Sequence, residues 1–304
     1  MRHNLGAHMS IAGGHHLAVE AAAALGMQTV QVFTKSSTQW KAKPLGEGDV
    51  QQFRAALSRT GIVDPVAHTS YLINLASPDS ALWQRSIDSM TIEVERAEAL
   101  GVATLVMHPG AHMACGEEQG LGRVARALDD VHRRTRGFSV RVALESTAGQ
   151  GSCLGHRLQH LSGIIKRTKA PERLCVCLDS CHLFAAGYDL AAAAGYNAFL
   201  EELGATVGTS LVRVWHLNDS AKPRGSRVDR HAGIGRGLMG LEALRRILNE
   251  PAFASVPMIL ETPKGFDGDV PLDVLNLQVL RSLEQAPASA GKPRKRGKKE
   301  SRAS

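Results

Sequence analysis

The chain has 304 residues, 43% of them hydrophobic, enough for a globular protein with a core of barrel size. No apolar run nears the ~18 residues of a membrane span, and the N-terminus, MRHNLGAHMSIAGG, lacks the apolar core of a signal peptide. The net charge is +7, but Lys292, Arg294, Lys295, Arg296, Lys298, Lys299 and Arg302 against Glu300 put six of those charges in residues 286–304, leaving the body near neutral.

Strands are predicted at 3–8 (HNLGAH) and 28–33 (QTVQVF). A long connection, 34–48 (TKSSTQWKAKPLGEG), comes next, and loops of that length are uncommon unless functional. VDPVA then ends on His68. Ser77 and Pro78 open a helix as cap and first-turn proline, and Gly101 closes it. ATLVM ends on His108, and a helix runs from Glu117 to Arg136, stopped by Gly137. VRVAL ends on Glu145, a helix covers 156–168, and LCVCL ends on Asp179. A helix over 189–207 leads to LVRVW and His216. After a second long connection, 217–237, come a helix over 238–249, VPMIL ending on Glu261, and a helix over 271–283. Beyond Leu283 the chain is Ala, Pro, Ser, Gly and Lys/Arg without an apolar anchor, a composition expected to stay disordered. The expected organisation is one barrel domain, 1–284, and a basic tail, 285–304.

Six of these strand-like runs end on a residue able to bind a metal, at spacings of 40, 37, 34, 37 and 45 residues. Those are the lengths of strand-plus-helix units, and eight strands alternating with helices favour an α/β (β/α)8 TIM barrel over an open doubly wound sheet. Parallel strands would bring all six side chains to one rim, where such barrels build active sites. A lone histidine at a strand end is more often structural than a ligand. Six ligand-type residues in equivalent places, two of them glutamates and one an aspartate directly after apolar strands, call for a cation.

His182, three residues beyond Asp179, and Asp229 with His231 in the glycine-rich connection add an open zinc-type set. Five histidines and four carboxylates, with no cysteine, suit several divalent ions, zinc and manganese first. Nine ligands are too many for two ions with open positions, so three fit. The excess positive charge of such a centre suits an anionic phosphodiester, and paired metals can activate water and clamp an in-line displacement. The five cysteines (Cys115, Cys153, Cys175, Cys177 and Cys181) form no C-x-x-C pair and read as reduced thiols in a cytoplasmic compartment.

The motifs HTSYLINLA, HPGAH, ESTAGQGSCLG, LDSCHLFAAGYDL, HLNDSAKPRGSRVDRH and ILETP resemble those of the endonuclease IV family, metal-dependent apurinic/apyrimidinic endonucleases, over roughly residues 4–283. The resemblance implies a (β/α)8 barrel with three Zn2+ ions, Mn2+ being able to replace one or more. It gives His68, His108 and Glu145 to the first ion. Glu145 bridges to the second, completed by Asp179, His216 and Glu261, and His182, Asp229 and His231 hold the third. It further implies cleavage of duplex DNA 5′ to abasic sites, leaving a 3′-hydroxyl and a 5′-deoxyribose phosphate, and cleaning of blocked 3′ ends. A hydroxide between the first two ions attacks phosphorus, bordered by Glu145 and Glu261, either of which could be the base. Neither an organic cofactor nor a membrane is implied, and a monomer is expected.

Around this shell the loops carry groups suited to DNA: Lys35, Trp40, Lys41 and Lys43 in one, Tyr71 and Leu72 in another, and Lys222, Arg224, Arg227 and Arg230 in a third. Basic groups position phosphates and apolar wedges unstack bases. The family commonly inserts an arginine two residues before that tryptophan, where this chain has Thr38. Two other readings compete. A sugar isomerase or epimerase on a related barrel needs one metal, held by a quartet like Glu145, Asp179, His216 and Glu261. A non-catalytic lesion-binding scaffold needs no complete ligand set.

Overall fold

The computed structural model describes residues 3–285; residues 286–304, nearly all of the expected basic tail, lie outside the described residues. Strands Leu5–His8, Thr29–Phe33, Val66–His68, Thr104–Met107, Arg141–Glu145, Leu174–Asp179, Val212–His216 and Met258–Leu260, here β1 to β8, are all parallel. Each pairs with its neighbours in sequence and β8 returns to β1, closing the barrel. Outside it run the helices His15–Ala24, Glu47–Thr60, Ser80–Leu100, Glu117–Arg134, Leu158–Arg167, Ala193–Thr206, Leu241–Leu248 and Leu272–Leu283.

The alternation of strand side chains builds both layers of the barrel. Val66, Val106, Ala143, Cys177, Val214 and Ile259 form a separate buried cluster in the interior with Cys175. Each of the first six stands two residues before a rim residue: His68, His108, Glu145, Asp179, His216 and Glu261. The same period that packs the interior therefore turns these polar side chains inward one layer higher. The intervening residues face the helices. Trp215 is fully buried, with ring centroids 6.3 Å from Phe199 and 5.2 Å from Phe253. On β1 the inward position is Gly6, where a Cβ would lie 2.2 Å from the carbonyl oxygen of Thr29, so only glycine lets β1 and β2 approach this closely.

Several boundaries differ from the sequence expectation. The helix after β3 is capped by Asp79, whose carboxylate accepts from Leu82 N–H at 2.7 Å, while Ser77 Oγ accepts from Asp79 N–H in the turn before it. The helix expected to reach Arg136 ends at Arg134, an ordinary fraying difference. Helices His15–Ala24 and Glu47–Thr60 begin after Gly14 and Gly46, which have no capping side chain; at the second, Asp49 instead accepts from Gly46 N–H at 3.2 Å. A short helix, Ser180–Ala186, follows β6 directly because Asp179 ends the strand and also caps the helix through His182 N–H.

Replacing Trp215 with alanine is expected to lower the unfolding free energy by ~3–5 kcal/mol, through lost burial plus the cavity left behind. Denaturant titration measures this, and a loss under ~1 kcal/mol would mean the edge-to-face Phe199–Trp215–Phe253 cluster does not anchor β7 to its outer layer.

Candidate metal centre

The nine expected ligands converge at the carboxyl ends of the strands, around Glu145. Its carboxylate has no exposure, and its two oxygens face different imidazoles. Oε2 lies 3.1 Å from Nε2 of both His68 and His108. Oε1 lies 3.1 Å from His216 Nδ1 and 3.3 Å from His182 Nδ1. His216 Nδ1 is also 3.2 Å from Glu261 Oε2 and 3.9 Å from Asp179 Oδ2. Across the rim, His182 Nε2 is 3.1 Å from Asp229 Oδ2, and His231 Nε2 is 3.4 Å from Asp229 Oδ1 and 3.6 Å from Asp179 Oδ2.

The ring protons of four of these histidines are committed elsewhere. His68 Nδ1–H donates to Thr69 O at 2.7 Å, His182 Nδ1–H to Ser146 O at 2.8 Å, and His231 Nδ1–H to Glu261 O at 3.1 Å. For His216 the constraint passes through Gln31. The amide nitrogen of Gln31 donates to Glu261 Oε1 at 2.6 Å, so its oxygen must accept from His216 Nε2–H at 2.8 Å. Each neutral ring is thus left with a bare nitrogen lone pair aimed at carboxylate oxygens. Lone pair against lone pair repels, and only a proton or a cation between them removes the conflict. His231 Nε2 is buried without a hydrogen-bond partner. Outer hydrogen bonds that orient each imidazole in this way are characteristic of metal-binding histidines, so the residues fit divalent cations.

Three of the orienting groups carry only weak sequence signals. Buried Asn218 donates from its amide to Asp179 Oδ2 at 2.7 Å and accepts from Glu261 N–H at 2.8 Å, tying the Asp179 carboxylate to the backbone of Glu261. Gln31 is an amide between the two valines of β2. His8 ends β1 as His68 ends β3, and its Nδ1 lies 3.5 Å from Glu261 Oε1. Strand-end position alone marks His8 in the sequence.

Burial works against the charge of Glu145, but His108 and His216 outweigh it and hold the carboxyl well below its usual range. Glu261 is likewise opposed by burial and held low by His216 and His8. Asp229, opposed by burial and held by His182, falls to about 2. Burial lowers His182 and His216, yet the surrounding acidic groups raise both well above 6.5. Cys177 comes close to Glu145 and His216, but burial pushes its thiol up to about 12 and it stays protonated. A further cluster, Glu117 with His156 and His160, is no equivalent centre. Gly155 N–H faces His160 Nδ1 and the Arg157 guanidinium faces Nε2, so both ring nitrogens already meet protein N–H donors, and Arg157 also neutralises Glu117.

The loop residues divide. Tyr71 is 61% exposed, its ring 5.6 Å from His68 and 6.3 Å from His108, directly beside the centre, and Leu72 beside it is half-buried. Thr38, Lys41 and Lys43 are exposed, and Trp40 is half-buried beneath the Arg85 guanidinium, 4.4 Å above the ring. Lys222, Arg224, Arg227 and Arg230 are exposed, Arg224 paired with Asp189. Lys35 corrects the expectation of a phosphate contact. It is 4% exposed, with Nζ 3.4 Å from Glu93 and donating to Gln39 O at 2.7 Å. Its charge is spent inside the protein.

Residues 19–282 match the family model described as xylose isomerase-like TIM barrel. The chain is 47% identical over 280 residues to probable endonuclease 4 of Chloroflexus aurantiacus, covering 92% of this chain and 98% of that one. It is 45% identical to probable endonuclease 4 of Geobacter sulfurreducens, covering 93% and 95%. This chain belongs to the endonuclease IV family. The crystal structure of endonuclease IV from Thermus thermophilus superposes with a TM-score of 0.82 at 37% identity, covering 92% of this chain and 98% of that one. As a family member the chain is a hydrolase of the endonuclease type. A D-tagatose 3-epimerase-like protein, 16% identical with a TM-score of 0.69 and coverage of 93% and 97%, shares the fold alone. Among the described residues no helix is long and apolar enough to cross a membrane.

The pKa shifts give opposite pH responses with and without metal. In chelated protein, the raised His182 and His216 contribute stability that is present below pH 6.5 and lost as pH rises through their folded values. The depressed Glu145 and Glu261 contribute above pH 4.5 and lose that contribution as pH falls through their folded values. Chelated protein is therefore expected to lose Tm from pH 6.5 upward, while the Tm increment from added zinc grows over that range because the ligands must shed protons to bind. A zinc increment that does not change with pH would sink this account.

Proposed function

We propose that this protein nicks duplex DNA on the 5′ side of abasic sites, leaving a 3′-hydroxyl and a 5′-deoxyribose phosphate, and also trims blocked 3′ ends. It acts as a monomer with three zinc ions, manganese being able to substitute. The observation that carries this reading is the double engagement of Glu145: one oxygen faces the Nε2 atoms of His68 and His108, the other faces His216 Nδ1. A carboxylate so placed is suited to bridging two cations. His182, Asp229 and His231 form a further group able to hold one. When bound, paired divalent cations activate water and clamp the oxygens of an in-line displacement.

The chain's own residues divide the remaining work. The Glu145 side chain has no exposure and that of Glu261 has 13%, so proton exchange with solvent is open to Glu261, while Glu145 is left to bridge. Tyr71 and Leu72 offer apolar surface beside the centre to an unstacked nucleotide. Exposed Lys222, Arg227 and Arg230 are free to position backbone phosphates, which fix register without reading sequence. With Thr38 in place of an inserting arginine, holding the lesion open falls more heavily on Tyr71 and Leu72.

Active protein is expected to carry three divalent ions per chain by elemental analysis; one ion would favour the isomerase-like chemistry instead. Glu145→Gln is expected to lose more than one ion and to slow nicking of an abasic duplex by about a hundredfold or more. Near-normal metal content in that variant would rule out the bridge.

The basic tail is proposed to tether DNA electrostatically. If about three of its basic residues meet phosphates, deleting 286–304 lowers the salt slope of binding by roughly 0.9 per lost contact, on damaged and undamaged duplex alike. Turnover at saturating substrate is expected to stay the same. An unchanged salt slope would leave the tail without this role.

A further inference from the structure

Two loops border the metal centre on the Tyr71 side, residues 34–46 after β2 and 69–74 after β3, and one helix holds both. Helix Ser80–Leu100 carries Arg85, Glu93 and Arg96, eight and three residues apart and so on one face. Glu93 is fully buried. Its Oε2 accepts from the Thr34 hydroxyl, and its Oε1 accepts from Ser70 N–H at 3.0 Å and lies 3.4 Å from Lys35 Nζ. Arg96 donates to Thr34 O at 2.8 Å and to Lys43 O at 2.9 Å, gripping the first loop at both ends. Arg85 covers Trp40 between them. Ser70 Oγ donates to Ser37 O at 2.6 Å, joining loop to loop. Ser70 also adjoins Thr69, whose carbonyl accepts the His68 ring proton, and Tyr71 follows.

A buried Glu–Lys pair is a weak source of stability, since desolvation consumes most of the attraction and an apolar pair of similar volume often does as well. What an apolar pair cannot do is fix three points on two loops in register. We infer that Glu93 is a positioning residue, locking residues 34–46 and Tyr71 into one rigid unit over the metal centre so that these loops meet the duplex preformed. Preformed loops spare the ordering entropy that binding would otherwise cost. The inference rests on the reading that these loops touch DNA.

The test is Glu93→Gln, read by amide exchange, by steady-state nicking of an abasic duplex, and by hydrolysis of bis(p-nitrophenyl) phosphate, which needs the metal centre but not the loops. Exchange is expected to quicken in 36–46 and 70–72 alone. KM for the duplex is expected to rise about tenfold with kcat within about twofold, and the aryl diester rate is expected to stay the same. If the unpaired Lys35 ammonium unfolds this variant, Glu93→Gln with Lys35→Met removes both charges and is read the same way. Unchanged exchange would overturn the clamp. Equal losses on duplex and aryl diester would show that Glu93 acts through His68 and the metals, overturning it as well. Quickened exchange with unchanged KM would overturn the role of these loops in binding. Wild-type protein inert on abasic duplex would instead overturn the proposed function, and exchange would still decide the clamp.

Discussion

A carboxylate charge at Glu145, sealed from water among four imidazoles, is the constraint from which the rest of the structure follows. Burying that charge is costly unless cations or protons face it on more than one side. The barrel supplies those partners from different strands, His68 from β3, His108 after β4 and His216 from β7, and His182 from the short helix after β6. Such a group is assembled only when the barrel closes. The centre and the fold therefore depend on each other, since the polar layer at the rim needs cations or protons against its carboxylates, and only the closed ring of strands brings these groups together.

The hydrogen bonds behind the imidazoles give the centre its chemistry. Thr69 O, Ser146 O, Glu261 O and Gln31 each take a ring proton, leaving the other nitrogen bare toward the middle. Three of those acceptors are main-chain carbonyls at or beside strand ends, so ring orientation is set by backbone geometry. Asn218 ties Asp179 to the backbone of Glu261 and extends the same rigidity to the carboxylates. A site fixed this way can stabilise developing charge without reorganising at the moment of reaction.

Charge is distributed differently in the surrounding loops. The connection after β7 leaves Lys222, Arg227 and Arg230 in solvent, whereas the one after β2 turns Lys35 inward onto Glu93. The first arrangement suits long-range attraction of a polyanion and the second suits loop rigidity. A body of near-zero net charge thus carries a local basic surface on one loop and a buried ion pair beneath another.

Much of the barrel and of its polar rim was legible in the sequence, because strand alternation has period two and parallel strands share one direction. An apolar run ending on His, Asp or Glu therefore fixes both the inward face and the end of the barrel. The Asp229–His231 pair was legible through its spacing. Other features depend on contacts between residues far apart in the chain. Gln31 reaches His216, Asn218 reaches Asp179, and Lys35 finds Glu93 on a helix that follows the next strand. The short helix after β6 arises because one carboxylate, Asp179, both ends the strand and caps the helix. The sequence by itself determined that His68, His108, Glu145, Asp179, His216 and Glu261 stand at the rim. Only the tertiary structure decided which nitrogen of each ring faces inward and which lysine is spent on the protein itself, because those outcomes depend on acceptors that local sequence spacing does not reveal.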